Sequence, residues 1–209
     1  DLRAADDAAL DPQAEPRFSE KLELDLGTVT SPDTTLNDEL SAMAGAKAGL
    51  TLGPGLAPVS LRIAPPEPAG GEARLAVEQA LVSAFNAAVV LPTEPVAVGA
   101  TWRSERVIAA AATVTQTIEA RLTGWDDTRL TIEYTADETP VNSVFAIPGG
   151  RDSLTISRYS YTGQGSVTVD LTRGLPIAGE ATYRGARELV GADPNRPLVQ
   201  RTGLSVTWR

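Results

Sequence analysis

The sequence predicts an α+β protein, a strongly curved antiparallel β-sheet (a half-barrel or bowl) closed by one long and one short helix. Two observations carry this. The stretch GEARLAVEQALVSAFNAAVV keeps a helical apolar period, whereas almost everything after it alternates apolar and polar residues between turn signals. A third bounds the organisation. The chain has 209 residues and 42% hydrophobic content, with no Ser/Gly-rich or charged linker in its middle. It therefore reads as a tether over 1–17 and a single domain over 18–209.

The first segment is rich in Ala, Asp and Pro without apolar periodicity, which reads as a solvated tether. Such a tether, beginning Asp1-Leu2-Arg3, is what an exported chain carries just after a lipid anchor. Leu22, Leu24 and Leu26 then alternate with charged residues, predicting a half-buried strand over 21–30 that Ser31-Pro32-Asp33 breaks. Thr35 is placed as the N-cap of a short helix, with Asp38 three residues on. Leu36, Leu40, Met43 and Lys47 follow at helical spacing, up to Gly49 as the C-cap glycine. Short strands over 50–52 and 58–63 flank Gly53-Pro54-Gly55, and Pro65, Pro66 and Pro68 stiffen the loop that follows.

The long helix is expected over 72–90, with two unlike faces. Ala73, Ala76, Ala80, Ala84 and Ala87 make one smooth; Leu75, Val82, Phe85 and Val89 make the other bulky, and Leu81 joins the two. The smooth face is expected to lie tight on the sheet and the bulky one to border a cavity. Pro92, Pro95 and Gly99 turn the chain into the sheet. Ile108, Ala110, Ala112, Val114, Ile118, Ala120 and Leu122 then share one face of a long strand or a hairpin. Leu130, Ile132 and Tyr134 continue the alternation after the Asp126-Asp127 turn. Gly163-Gln164-Gly165 and DLTRGLP over 170–176 read as further turns of an antiparallel meander, whose last strand covers 199–208.

Composition excludes more chemistry than it suggests. A net charge of −9 and an aromatic content of 5% argue against nucleic acid, which calls for clustered cations and stacking platforms. With neither cysteine nor histidine there is no disulfide, thiol nucleophile, imidazole base or imidazole metal ligand. No run reaches the 18 or so apolar residues of a membrane-spanning helix. Gly163-Gln164-Gly165-Ser166 lacks the base of a nucleophile elbow and the Lys of a phosphate loop. Asp126, Asp127 and Glu133 as cation ligands, or Glu119 and Glu133 as a carboxylate pair, read more simply as solvated acids on an outward face. Tyr134, Tyr159, Tyr161 and Tyr183 gather on the sheet, where tyrosine suits both a strand and the rim of an apolar pocket.

The order sheet, helix, LPTEPVAVGATW and meander, with the later SVTVDLTRGLPIAGEATY, resembles a poorly characterised family of secreted actinobacterial lipoproteins. More loosely it is similar to the lipid-carrier lipoproteins of the LolA and LppX/LprG type. The resemblance implies an exported, cell-envelope protein, anchored by an N-terminal lipid on a cysteine this chain does not contain. It implies a lipid or glycolipid held between sheet and helix, with no catalytic residue, metal or cofactor. The walls expected to hold the ligand are Leu75, Leu81, Val82, Phe85 and Val89 on the helix, with Ile108, Ala110, Ala112, Val114, Ile118, Ile132 and Tyr134 on the sheet. The alternative is an envelope scaffold with a filled core, docking a protein partner.

Overall fold

The apolar–polar alternation becomes two antiparallel sheets in the computed structural model, which describes residues 20–31, 33–64, 70–147 and 152–209. With two α-helices beside them, the class is α+β. The tether over 1–17 and the proline loop over 65–69 lie outside the described residues. Where the sequence predicts one domain over 18–209, the chain gathers into two compact units, one ending at Val77 and one over Glu78–Arg209.

The first unit is a three-stranded meander of β1 (Glu20–Asp25), β2 (Lys47–Leu52) and β3 (Pro58–Ala64), with helix α1 (Thr34–Ser41) between the first two strands. Asp33, not Thr35, caps α1. Its carboxylate accepts the Thr35 backbone N–H at 3.0 Å and the Thr35 hydroxyl at 2.7 Å, satisfying one of the orphan donors of a helix start. The helix is shorter than expected because Gly45, at φ 79°, turns the chain back. Lys47 and Gly49 thus join β2, where Lys47 pairs with Asp25 directly across the ladder. Ala48, Leu50 and Leu52 alternate as buried residues of β2, and Leu40, Met43 and Ala46 are buried as well.

The second unit is an open antiparallel sheet of β4 (Thr101–Ala109), β5 (Thr113–Asp126), β6 (Arg129–Pro140), β7 (Val144–Ala146), β8 (Ser153–Asp170), β9 (Leu175–Val190) and β10 (Leu198–Trp208). Its order is β10-β9-β8-β6-β5-β4, with β7 beside β8, so strands adjacent in sequence are largely adjacent in space. The stretch over 107–122 is a hairpin that turns at 110–112, and its even-numbered residues keep one facing. Val114, Ile118, Ala120 and Leu122 are buried; Glu119 and Arg121 are exposed.

One expected turn is absent. Gly163, Gln164 and Gly165 lie in the middle of β8, an uninterrupted strand of 18 residues. The two glycines serve close approach instead. Gly165 pairs across the ladder with Tyr134, and Gly163 with Tyr183. A Cβ on Gly165 would stand 2.6 Å from the Tyr134 ring, and one on Gly163 would stand 2.3 Å from that of Tyr183. The rings lie over the bare glycine backbone.

The long helix α2 (Gly71–Asn86) ends four residues before its expected limit. Ala73 and Val77, one turn apart, are buried, whereas Leu75 is 55% exposed and Val82 42% exposed. Of the smooth face, Ala73 is buried within the helix, Ala76 and Ala84 are half-buried and Ala80 is exposed. Val89 falls beyond the helix in an irregular, buried segment with Ala87, Ala88 and Leu91.

Candidate functional site

A helix C-terminus leaves its last carbonyls without intrahelical partners. Here, within the second unit, the sheet supplies them. Tyr134 donates its hydroxyl to the Ala87 carbonyl at 2.6 Å, and Tyr183 approaches the same oxygen at 3.5 Å. Arg106 donates to the Asn86 carbonyl, and the Trp102 indole N–H donates to that of Val90 at 2.9 Å. A guanidinium at this end also suits the helix dipole. The end of α2 is thereby pinned to the buried face of β4, β6 and β9.

Beside this anchor lies a cavity of about 340 Å³. Its walls divide by chemistry. Ile108, Ala110, Ala112 and Val114, around the β4–β5 turn, form an apolar wall, continued by Ala87 and Leu204. Gln116, Glu138, Tyr159, Tyr161 and Arg187 form the polar one, joined by Ser83 and Asn86 of α2. Beneath the apolar wall Ala112 and Val114 pack with Phe145, Ile156 and Leu189.

The polar wall is hydrogen-bonded in series. Arg106 donates to the Gln116 side-chain carbonyl through Nε at 2.9 Å and Nη2 at 2.5 Å. The Gln116 amide donates to Glu138 at 3.0 Å, and the Tyr159 hydroxyl donates to the other Glu138 oxygen at 2.7 Å. Gln116 is only 2% exposed, so the satisfied chain is what makes its burial tolerable. Burial lowers the Arg106 pKa from its usual range, since it penalises the charged form. It raises those of Tyr134, Tyr159, Tyr161 and Tyr183 for the same reason, so each phenol stays a neutral donor. The Tyr161 ring stacks on Tyr183, with centroids 6.0 Å apart.

Four of the twelve residues expected to hold a ligand meet here: Ile108, Ala110, Ala112 and Val114. Ile118, Ile132 and Tyr134 are instead packed in the solid core, at 1%, 0% and 4% exposure. Leu81 and Phe85 are half-buried away from the cavity, and Val89 is buried after the helix. Leu75 and Val82 face solvent, which corrects the expectation that the bulky helix face borders the hollow. Gln116, Glu138 and Arg187 were not anticipated. Gln116 and Glu138 sit at even, inward positions of strands whose neighbours are apolar, and that parity was the available signal.

Two wider hollows of about 880 and 720 Å³ open on the opposite face of the large sheet. They share Glu119, Thr135, Gln164 and Thr182, and are lined largely by polar and charged residues. Glu119 stands across from Arg103, and Glu133 across from Arg121, which suits exposed cross-strand charge pairing better than acid–base chemistry. Among the described residues, no three acidic side chains converge as a metal site, and no helix is long and apolar enough to cross a membrane. Comparison with protein-family models, curated proteins and solved structures gives no match.

Proposed function

We propose that this is a non-enzymatic binding protein of the cell envelope that holds a small amphipathic molecule, a lipid or glycolipid with one chain, in the cavity beside the end of α2. The observation that supports it is the divided wall: aliphatic side chains on one side, a hydrogen-bonded polar row on the other. A volume of about 340 Å³ is near the lower limit of small-molecule sites, roughly 300–1,000 Å³, which favours one chain over several. Each methylene buried against the Ala/Ile/Val wall contributes about 0.8 kcal/mol. In this reading the large sheet curves around the ligand as a half-barrel, and the chain is exported and lipid-anchored. The exposed Leu75 and Val82 take no part. Mass spectrometry of organic extracts from natively purified protein tests the proposal, with ligand-induced thermal shifts beside it. Expected is a co-purifying amphiphile, displaced when Ala112→Phe fills the cavity. Extracts without lipid, together with no thermal shift from any added amphiphile, would sink it.

A second reading, an envelope scaffold docking a protein partner, is favoured by the edge strand β10, where Leu198 and Val199 are each 57% exposed. An edge of this kind can accept a partner strand. In that case Ala112→Phe leaves function untouched and charge placed on β10, as in Val199→Lys, abolishes it.

A further inference from the structure

Arg187 is the charged side chain of the cavity whose charge the polar row does not answer. Glu138 accepts from Tyr159 and from Gln116, and Gln116 in turn accepts from Arg106. The one carboxylate of the row is therefore linked through a single amide to the Arg106 guanidinium. Among the described residues Arg187 makes no ion pair. Its guanidinium is nevertheless held in place: it lies 4.2 Å over the Phe145 ring, and Nε donates to Gln200 at 2.7 Å. A stacked guanidinium tied through Nε keeps its two Nη groups directed elsewhere. Tyr161 is set diagonally from it, since Tyr159 pairs with Arg187 and Tyr161 with Gly185 on the neighbouring strand. Among the described residues the Tyr161 hydroxyl has no hydrogen-bond partner, and it too lines the cavity.

We infer that the ligand carries an anionic oxygen head, received by Arg187 Nη with the Tyr161 hydroxyl beside it, an inference that rests on the ligand-binding reading above. Carboxylate and phosphate share the needed chemistry, acceptor oxygens bearing charge that a planar guanidinium can meet with two N–H groups. The apolar tail then runs along Ile108, Ala112 and Val114.

The test uses amphiphiles of one tail length below their micelle concentrations: decanoate, decyl phosphate, decanol and decyltrimethylammonium, each titrated calorimetrically into the full chain. At least one anion is expected to bind tenfold or more tightly than decanol, with the cation weakest. The tighter anion shows whether the head is a carboxylate or a phosphate. Arg187→Met should lose about ten- to hundredfold for the anion and nothing for decanol, as for a hydrogen bond to a charged group. Tyr161→Phe, which keeps the ring stack, should lose about three- to tenfold. Should Arg187→Met fail to fold, Arg187→Lys and Tyr161→Phe decide by the same comparison. Equal binding of decanoate, decyl phosphate and decanol, unchanged by the variants, overturns the anionic head and leaves the ligand-binding reading intact. Failure of all four amphiphiles to bind overturns both.

Discussion

Gly165 and Gln116 show how single residues set this face of the sheet. At Gly165 the missing side chain is the point, because the Tyr134 ring occupies its place and delivers a hydroxyl to Ala87. Gly165→Ala should therefore cost about 1–3 kcal/mol in urea unfolding, the usual range for overpacking. Tyr134→Phe should cost about 1 kcal/mol, the hydrogen bond alone. A Gly165→Ala protein as stable as the parent would mean that the ring does not lie there. At Gln116 the two ends of one amide serve two opposite charges. Gln116→Leu keeps the size but leaves Arg106 and Glu138 without their mediator. The expected loss is about 2–3 kcal/mol, the cost of unsatisfied buried polar groups, again read from urea unfolding. These positions were only half legible in the sequence. Parity along β5 places residue 116 inward between Val114 and Ile118, yet nothing local says which charged groups come across from β4 and β6 to meet it.

At the scale of elements, the meander and the α+β class follow from alternation and turn chemistry, whereas β8 and the facing of α2 do not. Gly-Gln-Gly has the composition of a hairpin turn, but two glycines two apart on a strand equally make room for two rings from neighbouring strands. Which applies is set by Tyr134 and Tyr183, 31 and 20 residues from the glycine each covers. In α2 the bulky and smooth faces are both apolar, so periodicity shows two sides without saying which is inward. Leu75→Gln with Val82→Thr should change stability by under about 0.5 kcal/mol. Val77→Ala, at a residue only 3% exposed, should cost about 1.5 kcal/mol for two buried carbons. The opposite ranking in thermal melts would restore the bulky face as the buried one. The turn after β8 carries a pH dependence. Asp170 accepts the Thr172 hydroxyl at 2.6 Å and the Thr172 N–H at 2.9 Å. These bonds, the hydroxyl first, hold its carboxyl below the ordinary range. A depressed pKa gives stability that is full above the unfolded value, about 3.9, and lost as pH falls through the folded one. The fall in stability between pH 5 and pH 2 should thus be shallower in Asp170→Asn than in the parent.

Over the whole molecule, all four tyrosines and all three tryptophans lie in the second unit, so its aromatic signals have a single source. Burial raises the pKa of every one of those tyrosines. Two of them anchor the end of α2 and a third holds Glu138, so three of the four phenol protons are part of the arrangement that frames the cavity. The sign of the linkage follows. Unfolded tyrosine ionises near 10, so above that pH the unfolded chain sheds protons that the folded one retains, and stability falls as pH rises. In the native protein, phenolate absorbance near 295 nm should stay low through pH 10, where free tyrosine is about half ionised. It should then rise in one step for all four residues, together with the loss of β-sheet circular dichroism. In Tyr161→Phe the step keeps its cooperativity with a smaller amplitude, since that hydroxyl anchors nothing within the described chain. A native fraction titrating near pH 10 would place at least one of these hydroxyls in open water and remove it from the polar wall on which ligand binding depends.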